Sequence, residues 1–86
     1  MPFTRDLIDE LDTLLRFDLA DLQTGLKIRS TADSAVIAAA SRLHAKGLTT
    51  QIDGGYLTPL GRDAAERAQD LLSILTTAPA LAKSVL

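Results

Sequence analysis

Two adjacent glycines, Gly54 and Gly55, lie between two stretches that each carry their own helix-boundary chemistry, and this constrains the chain more than any other feature. Asp53-Gly54-Gly55 supplies the positive φ angles that a tight hairpin needs. Leu48, Thr50 and Ile52 alternate with Thr49 and Gln51 before it, and Tyr56-Leu57-Thr58 returns after it, so a β-hairpin is expected over about 48–58. Upstream, Gly47 is placed to end a helix in a left-handed cap, with Leu48 set to touch Leu43 as in a Schellman motif. Downstream, Thr58-Pro59 reads as a cap followed by proline at the first helical position. A helix, a hairpin and a second helix are therefore fixed in order by local chemistry.

The helices follow from apolar spacing. Thr4 is a cap with Phe3 and Ile8 placed as a hydrophobic staple, and Leu7, Ile8, Leu11, Leu14 and Leu15 then recur at helical intervals, giving a helix over about 4–16. Asp18 and Gly25 bracket a short second helix over about 18–24. Leu26-Lys27-Ile28-Arg29 alternates apolar and basic, which reads as a short strand with Leu26 and Ile28 inward, or equally as an extended loop on the core. Asp33 caps a central helix over about 34–46 with Val36, Ala40 and Leu43 as its inner stripe and Ala39 and Ile37 at the flanks. The last helix, about 59–76, has Leu60, Ala64, Ala68, Leu71 and Leu75 as its stripe, and Pro79 follows its end. The fold class is mainly α with a small β-hairpin or sheet (α+β), as one domain over 1–78 with a short tail over 79–86. With 47% apolar residues, mostly Leu, Ala and Ile, and only Phe3, Phe17 and Tyr56 as aromatics, the core suits packed helices better than a β-sandwich.

Composition narrows the function classes. The absence of cysteine excludes a disulfide framework and a thiolate metal site. No apolar run is long enough to span a bilayer, and Arg5, Asp6, Asp9, Glu10 and Asp12 interrupt the opening residues, unlike a secretory signal, so a soluble cytoplasmic protein is expected. His44 is the sole histidine and flanks the inner stripe of the central helix, which suits a partly buried structural role better than that of a general base. Asp9, Glu10 and Asp12 fall on different faces of one helix and read as a solvated acidic surface, not a metal cluster. No catalytic residue, metal or cofactor is expected, and the chain does not read as an enzyme. Net charge is −2, yet it is unevenly spread: six carboxylates outnumber Arg5 and Arg16 in residues 1–24, whereas Lys27, Arg29, Arg42, Lys46 and Arg62 outnumber Asp33 and Asp53 in residues 25–62.

Arg42-Leu-His-Ala-Lys-Gly-Leu48, the glycine hairpin, and Tyr56-Leu-Thr-Pro-Leu-Gly-Arg-Asp-Ala-Ala-Glu66 together resemble the end of a winged-helix regulator of the MarR type over about residues 34–70. Over its whole length the chain also resembles a small family of uncharacterised bacterial proteins that begin Met-Pro-Phe-Thr. The winged-helix resemblance implies DNA binding and transcription regulation through helix 34–46. Ser34, Ser41 and Arg42 would then face the major groove, with Lys46, Lys27, Arg29 and Arg62 toward the phosphates. Asp53 at the wing tip, where a carboxylate repels phosphate, keeps a second reading open: a non-catalytic protein–protein interaction or adaptor module of the same shape, without DNA binding. Leu71, Leu72, Ile74 and Leu75 give the last helix more apolar surface than one stripe requires, which suggests a homodimer interface.

Overall fold

The structure, a computed structural model, describes residues 2–21 and 23–77. Three helices, α1 (Arg5–Leu14), α2 (Ser34–Ala45) and α3 (Pro59–Thr77), surround a small sheet of β1 (Leu26–Lys27), β2 (Thr49–Gln51) and β3 (Gly54–Leu57). The sheet is antiparallel in the order β1-β3-β2, so the hairpin is joined at its C-terminal strand by a strand from the other side of α2. The expected tail over 79–86 lies outside the described residues.

The helix boundaries are set by side chains at their ends. Thr4 Oγ1 accepts from the Leu7 amide at 3.2 Å, and Asp33 Oδ1 accepts from the Ala35 amide at 3.1 Å, each satisfying a first-turn N–H that has no partner within its helix. Phe3 and Ile8, placed as a staple by spacing, are both more than one-third exposed. At the end of α2 the Leu48 amide donates to Leu43 O and the Gly47 amide to His44 O, each at 3.0 Å, with Gly47 at φ +77°. That pair of bonds is the Schellman motif expected at this glycine. Thr58 then ties the two helices together. Its Oγ1 accepts from the Gly61 amide at 3.0 Å and donates to Gly47 O at 2.6 Å, while its own amide donates to Leu48 O at 3.1 Å. One threonine thus caps the start of α3 and holds it against the end of α2.

Four local expectations change. The helix expected over 18–24 does not form among the described residues; Asp18 Oδ1 takes the Ala20 amide at 2.9 Å and Asp21 Oδ1 takes the Gln23 amide at 3.1 Å. Short carboxylates that bond the backbone two residues on stabilise turns at the expense of helix. α1 stops at Leu14 rather than Arg16, and the strand at 26–29 keeps only Leu26–Lys27, although Ile28 is buried as expected. The hairpin tip is Ile52-Asp53, because Gln51 pairs with Gly54, and the two glycines begin β3. With Thr49 opposite Leu57 and Gln51 opposite Gly54, Gly55 and Tyr56 together stand against Thr50, a bulge opened by Gly55 at φ +70°. This bulge sends Thr49 inward and leaves Ile52 62% exposed, so apolar alternation does not mark the buried face.

The core is small: Leu14, Leu43 and Ala65 at its centre, with Leu19, Leu48, Leu57 and Ala64 packed around them. α3 presents Gly61, Ala65 and Ala68 to this core, and Leu60 and Leu71 of its expected stripe lie outside it, 58% and 46% exposed. The reason is close approach. A Cβ at Gly61 would overlap the Leu48 carbonyl, so only glycine lets α3 lie where the Thr58 latch holds it. Small residues then continue the contact along that face, and the leucines turn outward.

Candidate functional site

The residues that carry functional chemistry in the sequence are distributed by the fold over four places. Arg42 and Lys46 lie on the side of α2 that meets α1. Lys27, Arg29 and Ser41 line a cleft between β1, α2 and the hairpin tip. Arg62 lies on the first turns of α3, with Nε 3.0 Å from Glu66 Oε1, and Ser34 is exposed at the start of α2.

The first place is built around Glu10. Its side chain is only 7% exposed, so the acidic segment of α1 is not the uniformly solvated surface expected from spacing. Glu10 falls in step with Leu7 and Leu14 on the inner face of the helix, and that step is a sequence signal for burial. Arg42 Nε donates to Glu10 Oε2 at 3.1 Å, and Lys46 Nζ donates to Glu10 Oε1. Arg42 also donates to the Asp6 carbonyl at 3.2 Å and sits 3.8 Å from the Asp6 carboxylate. Burial pushes the Glu10 carboxyl upward, but hydrogen bonds from Lys46 and Arg42 and the charges of both outweigh it and hold the group below the usual carboxylate range. Arg42 in α2 and Lys46 at its C-cap therefore both hold α1 through the Glu10 carboxylate, with Asp6 as a second partner of Arg42. Both cations are paired within the chain while remaining partly solvated.

The second place is a cleft of about 450 Å³. Ile28 and Ala40 form its buried floor, and Ile37 and Ile52, 39% and 62% exposed, face it from α2 and from the hairpin tip. Its rim carries Lys27, Arg29, Ser41 and Asp53. Lys27 Nζ is 3.8 Å from Asp53 Oδ2, whereas Arg29 has no carboxylate partner among the described residues. The cleft is apolar at its base and carries one unbalanced positive charge. Ile37 and Ile52 escaped the sequence reading as site residues because their apolar character points to the core.

The third feature is the far half of α3. Every residue from Asp70 to Thr77 is exposed, and Leu71, Leu72, Ile74 and Leu75 are 46–71% exposed. His44, expected to be partly buried, is exposed instead, and its Nδ1–H donates to the Thr49 carbonyl at 3.2 Å. Next to Leu43 on the wheel, it lies in the last turn of α2, where its ring reaches the backbone of β2 instead of the core. Among the described residues no three His, Asp or Glu side chains are grouped to hold a metal ion, and no helix is long and apolar enough to cross a membrane.

Fold and site together define a small α+β domain with a three-stranded antiparallel sheet, an internal ion-pair cluster and two exposed apolar surfaces. Residues 1–76 match the model of a family described as a family of unknown function (DUF5669), and the chain belongs to that family. No curated protein and no solved structure matches the chain.

Proposed function

We propose that this chain is a non-catalytic protein–protein interaction module of winged-helix-like build, working in the cytoplasm as a homodimer. The observation that carries this reading is the uncovered apolar half of α3, where Leu71, Leu72, Ile74 and Leu75 all stand in water. Contiguous aliphatic surface of this kind marks an interface, because each half-exposed leucine or isoleucine forgoes on the order of 1 kcal/mol of burial. A second copy is the occupant that fits. Beyond Gln69 the helix carries one charged side chain, Asp70, so aliphatic packing of like against like needs no complementary charge, and a two-fold axis closes the assembly.

The sheet order β1-β3-β2 and the hairpin between α2 and α3 support the winged-helix-like build. The electrostatics favour protein over nucleic acid as partner. Arg42 is held by Glu10 and Asp6, Lys46 by Glu10, Lys27 by Asp53 and Arg62 by Glu66, which leaves Arg29, of the five that suggested a DNA-binding face, without a carboxylate among the described residues. Affinity for duplex DNA grows with the number of phosphates neutralised, and these pairs subtract from that number.

Light scattering after gel filtration tests the dimer. The wild-type protein is expected at twice 9.2 kDa, and the double variant Leu71→Glu, Leu75→Glu at 9.2 kDa with its helical signal retained. A wild-type monomer at high micromolar concentration would overturn the reading. Titration with mixed duplex DNA across a salt series tests the rival, and tight binding that falls steeply with salt would replace this proposal with DNA binding.

A further inference from the structure

We infer that the cleft between β1, α2 and the hairpin tip is a docking site for an acidic amphipathic segment of a partner protein. This rests on the reading of the chain as an interaction module, and it names a second surface, distinct from the dimer face of α3. Three observations carry it.

The first is the pairing of uncovered aliphatic side chains across the opening. Ile37 on α2 and Ile52 at the hairpin tip both line the cleft and are 39% and 62% exposed, above a floor formed by buried Ile28 and Ala40. An isoleucine at the tip of a two-residue turn contributes nothing to the core and costs solubility. Two apolar walls over an apolar floor accept branched side chains from one face of a helix or strand.

The second is charge. Lys27 and Asp53 face each other at 3.8 Å across the rim and largely cancel, so the remaining charge of the cleft is that of Arg29. Its guanidinium has no carboxylate among the described residues, and a planar fork of donors binds a carboxylate in two parallel hydrogen bonds. The matching ligand therefore has apolar side chains next to a carboxylate. A polyphosphate backbone matches poorly, since one unbalanced cation answers a single charge and the apolar floor offers the rest of a phosphate chain nothing. The third is the hydroxyls: Ser30 and Ser41 border the cleft, and neither side chain has a hydrogen-bond partner among the described residues, so both are free to bind a peptide backbone.

The test uses the full chain, labelled with nitrogen-15, and three synthetic peptides of about 15 residues, long enough to hold a helical turn pattern. All three place Leu and Ile at i, i+3, i+4 and i+7; they differ in carrying Glu, Gln or Lys beside that stripe. The Glu peptide is expected to shift the amides of Lys27–Ser30, Ile37, Ser41 and Ile52–Asp53, and the Gln peptide to bind roughly three- to tenfold more weakly. The Lys peptide is expected to bind more weakly still. Arg29→Ala is expected to erase the difference between the Glu and Gln peptides, and Ile52→Ser to weaken both; both residues are exposed, so the fold is preserved.

Equal affinity for the Glu, Gln and Lys peptides, or shifts confined to α3, would overturn the inference. So would an absence of shifts at millimolar peptide, or displacement of the Glu peptide by equimolar mixed duplex DNA. Repeating the titration on the Leu71→Glu, Leu75→Glu variant separates the two surfaces. Unchanged cleft shifts there support the docking site whatever the fate of the dimer, and their loss refutes it as an independent surface.

Discussion

Replacing Glu10 by glutamine removes one negative charge from the contact between α1 and α2 and leaves the shape almost unchanged. The glutamine carbonyl can still accept from Arg42 Nε, now at 3.1 Å from Oε2, but its amide group would present N–H donors to the Lys46 ammonium, itself only a donor. Each hydrogen bond to a charged group contributes about 1.5–3 kcal/mol when buried. The partners here are partly solvated, with the Arg42 side chain 31% and the Lys46 side chain 48% exposed, so water recovers much of that loss. A cost of about 2 kcal/mol follows from weakening one such bond and losing the other. For a domain of this size it corresponds to a fall in Tm of roughly 8–15 °C. Circular dichroism on heating, with urea unfolding to confirm an unchanged m-value, measures it. In a double-mutant cycle, Lys46→Met is expected to cost less in the Glu10→Gln background than in the wild type, by about 1 kcal/mol. A fall in Tm below 2 °C, or strict additivity in the cycle, would refute the assignment of Glu10 as the link between the helices.

The same cluster sets a pH dependence. The Glu10 carboxyl titrates lower in the folded chain than in the unfolded one, so the unfolded state takes up its proton first as pH falls. The stabilisation is complete above the ordinary glutamate range, declines as pH drops through it, and is gone below the folded value, so urea midpoints measured from pH 6 to pH 3 should fall more steeply for the wild type than for Glu10→Gln. Gly61→Ala, which drives a Cβ into the Leu48 carbonyl, is expected to cost about 3 kcal/mol or to prevent folding. Gly47→Ala, with open space around its Cβ but φ at +77°, is expected to cost only about 1 kcal/mol on the same urea curves. Thr58→Val removes both the cap of α3 and the bond to Gly47 O, and a loss of about 1–2 kcal/mol is expected in the same assay.

The chemistry legible in the sequence was the chemistry that acts over a few residues. Thr4, Asp33 and Thr58-Pro59 announced the starts of the three helices and Gly47 the end of α2, because a cap bonds backbone groups two to five positions away, and those positions are visible in one dimension. The same short range explains the failure at 18–24, where Asp18 and Asp21 are good caps and equally good turn formers, and local sequence does not separate the two. The period of α3 was legible and its phase only in part. Of the expected inward stripe Leu60, Ala64, Ala68, Leu71 and Leu75, the two alanines do face the core, but the latch from Thr58 to Gly47 brought the helix so close to Leu48 that the buried face recentres on Gly61, Ala65 and Ala68 and the three leucines point outward.

The candidate site followed the same division. The residue types of a charged interface were present in the sequence, and Lys27, Arg29 and Ser41 do come together at one cleft. Arg42 and Lys46 were separated from them by an interaction no local rule contains. Their partner, Glu10, lies 32 and 36 residues away, and only packing α1 on α2 brings its carboxylate to both. Sequence alone determined where the three helices begin, where Gly47 ends α2 and that a hairpin follows it. Tertiary structure decided which faces are buried, which charges cancel and which aliphatic side chains are left over for a partner, because burial and charge pairing depend on neighbours far apart along the chain.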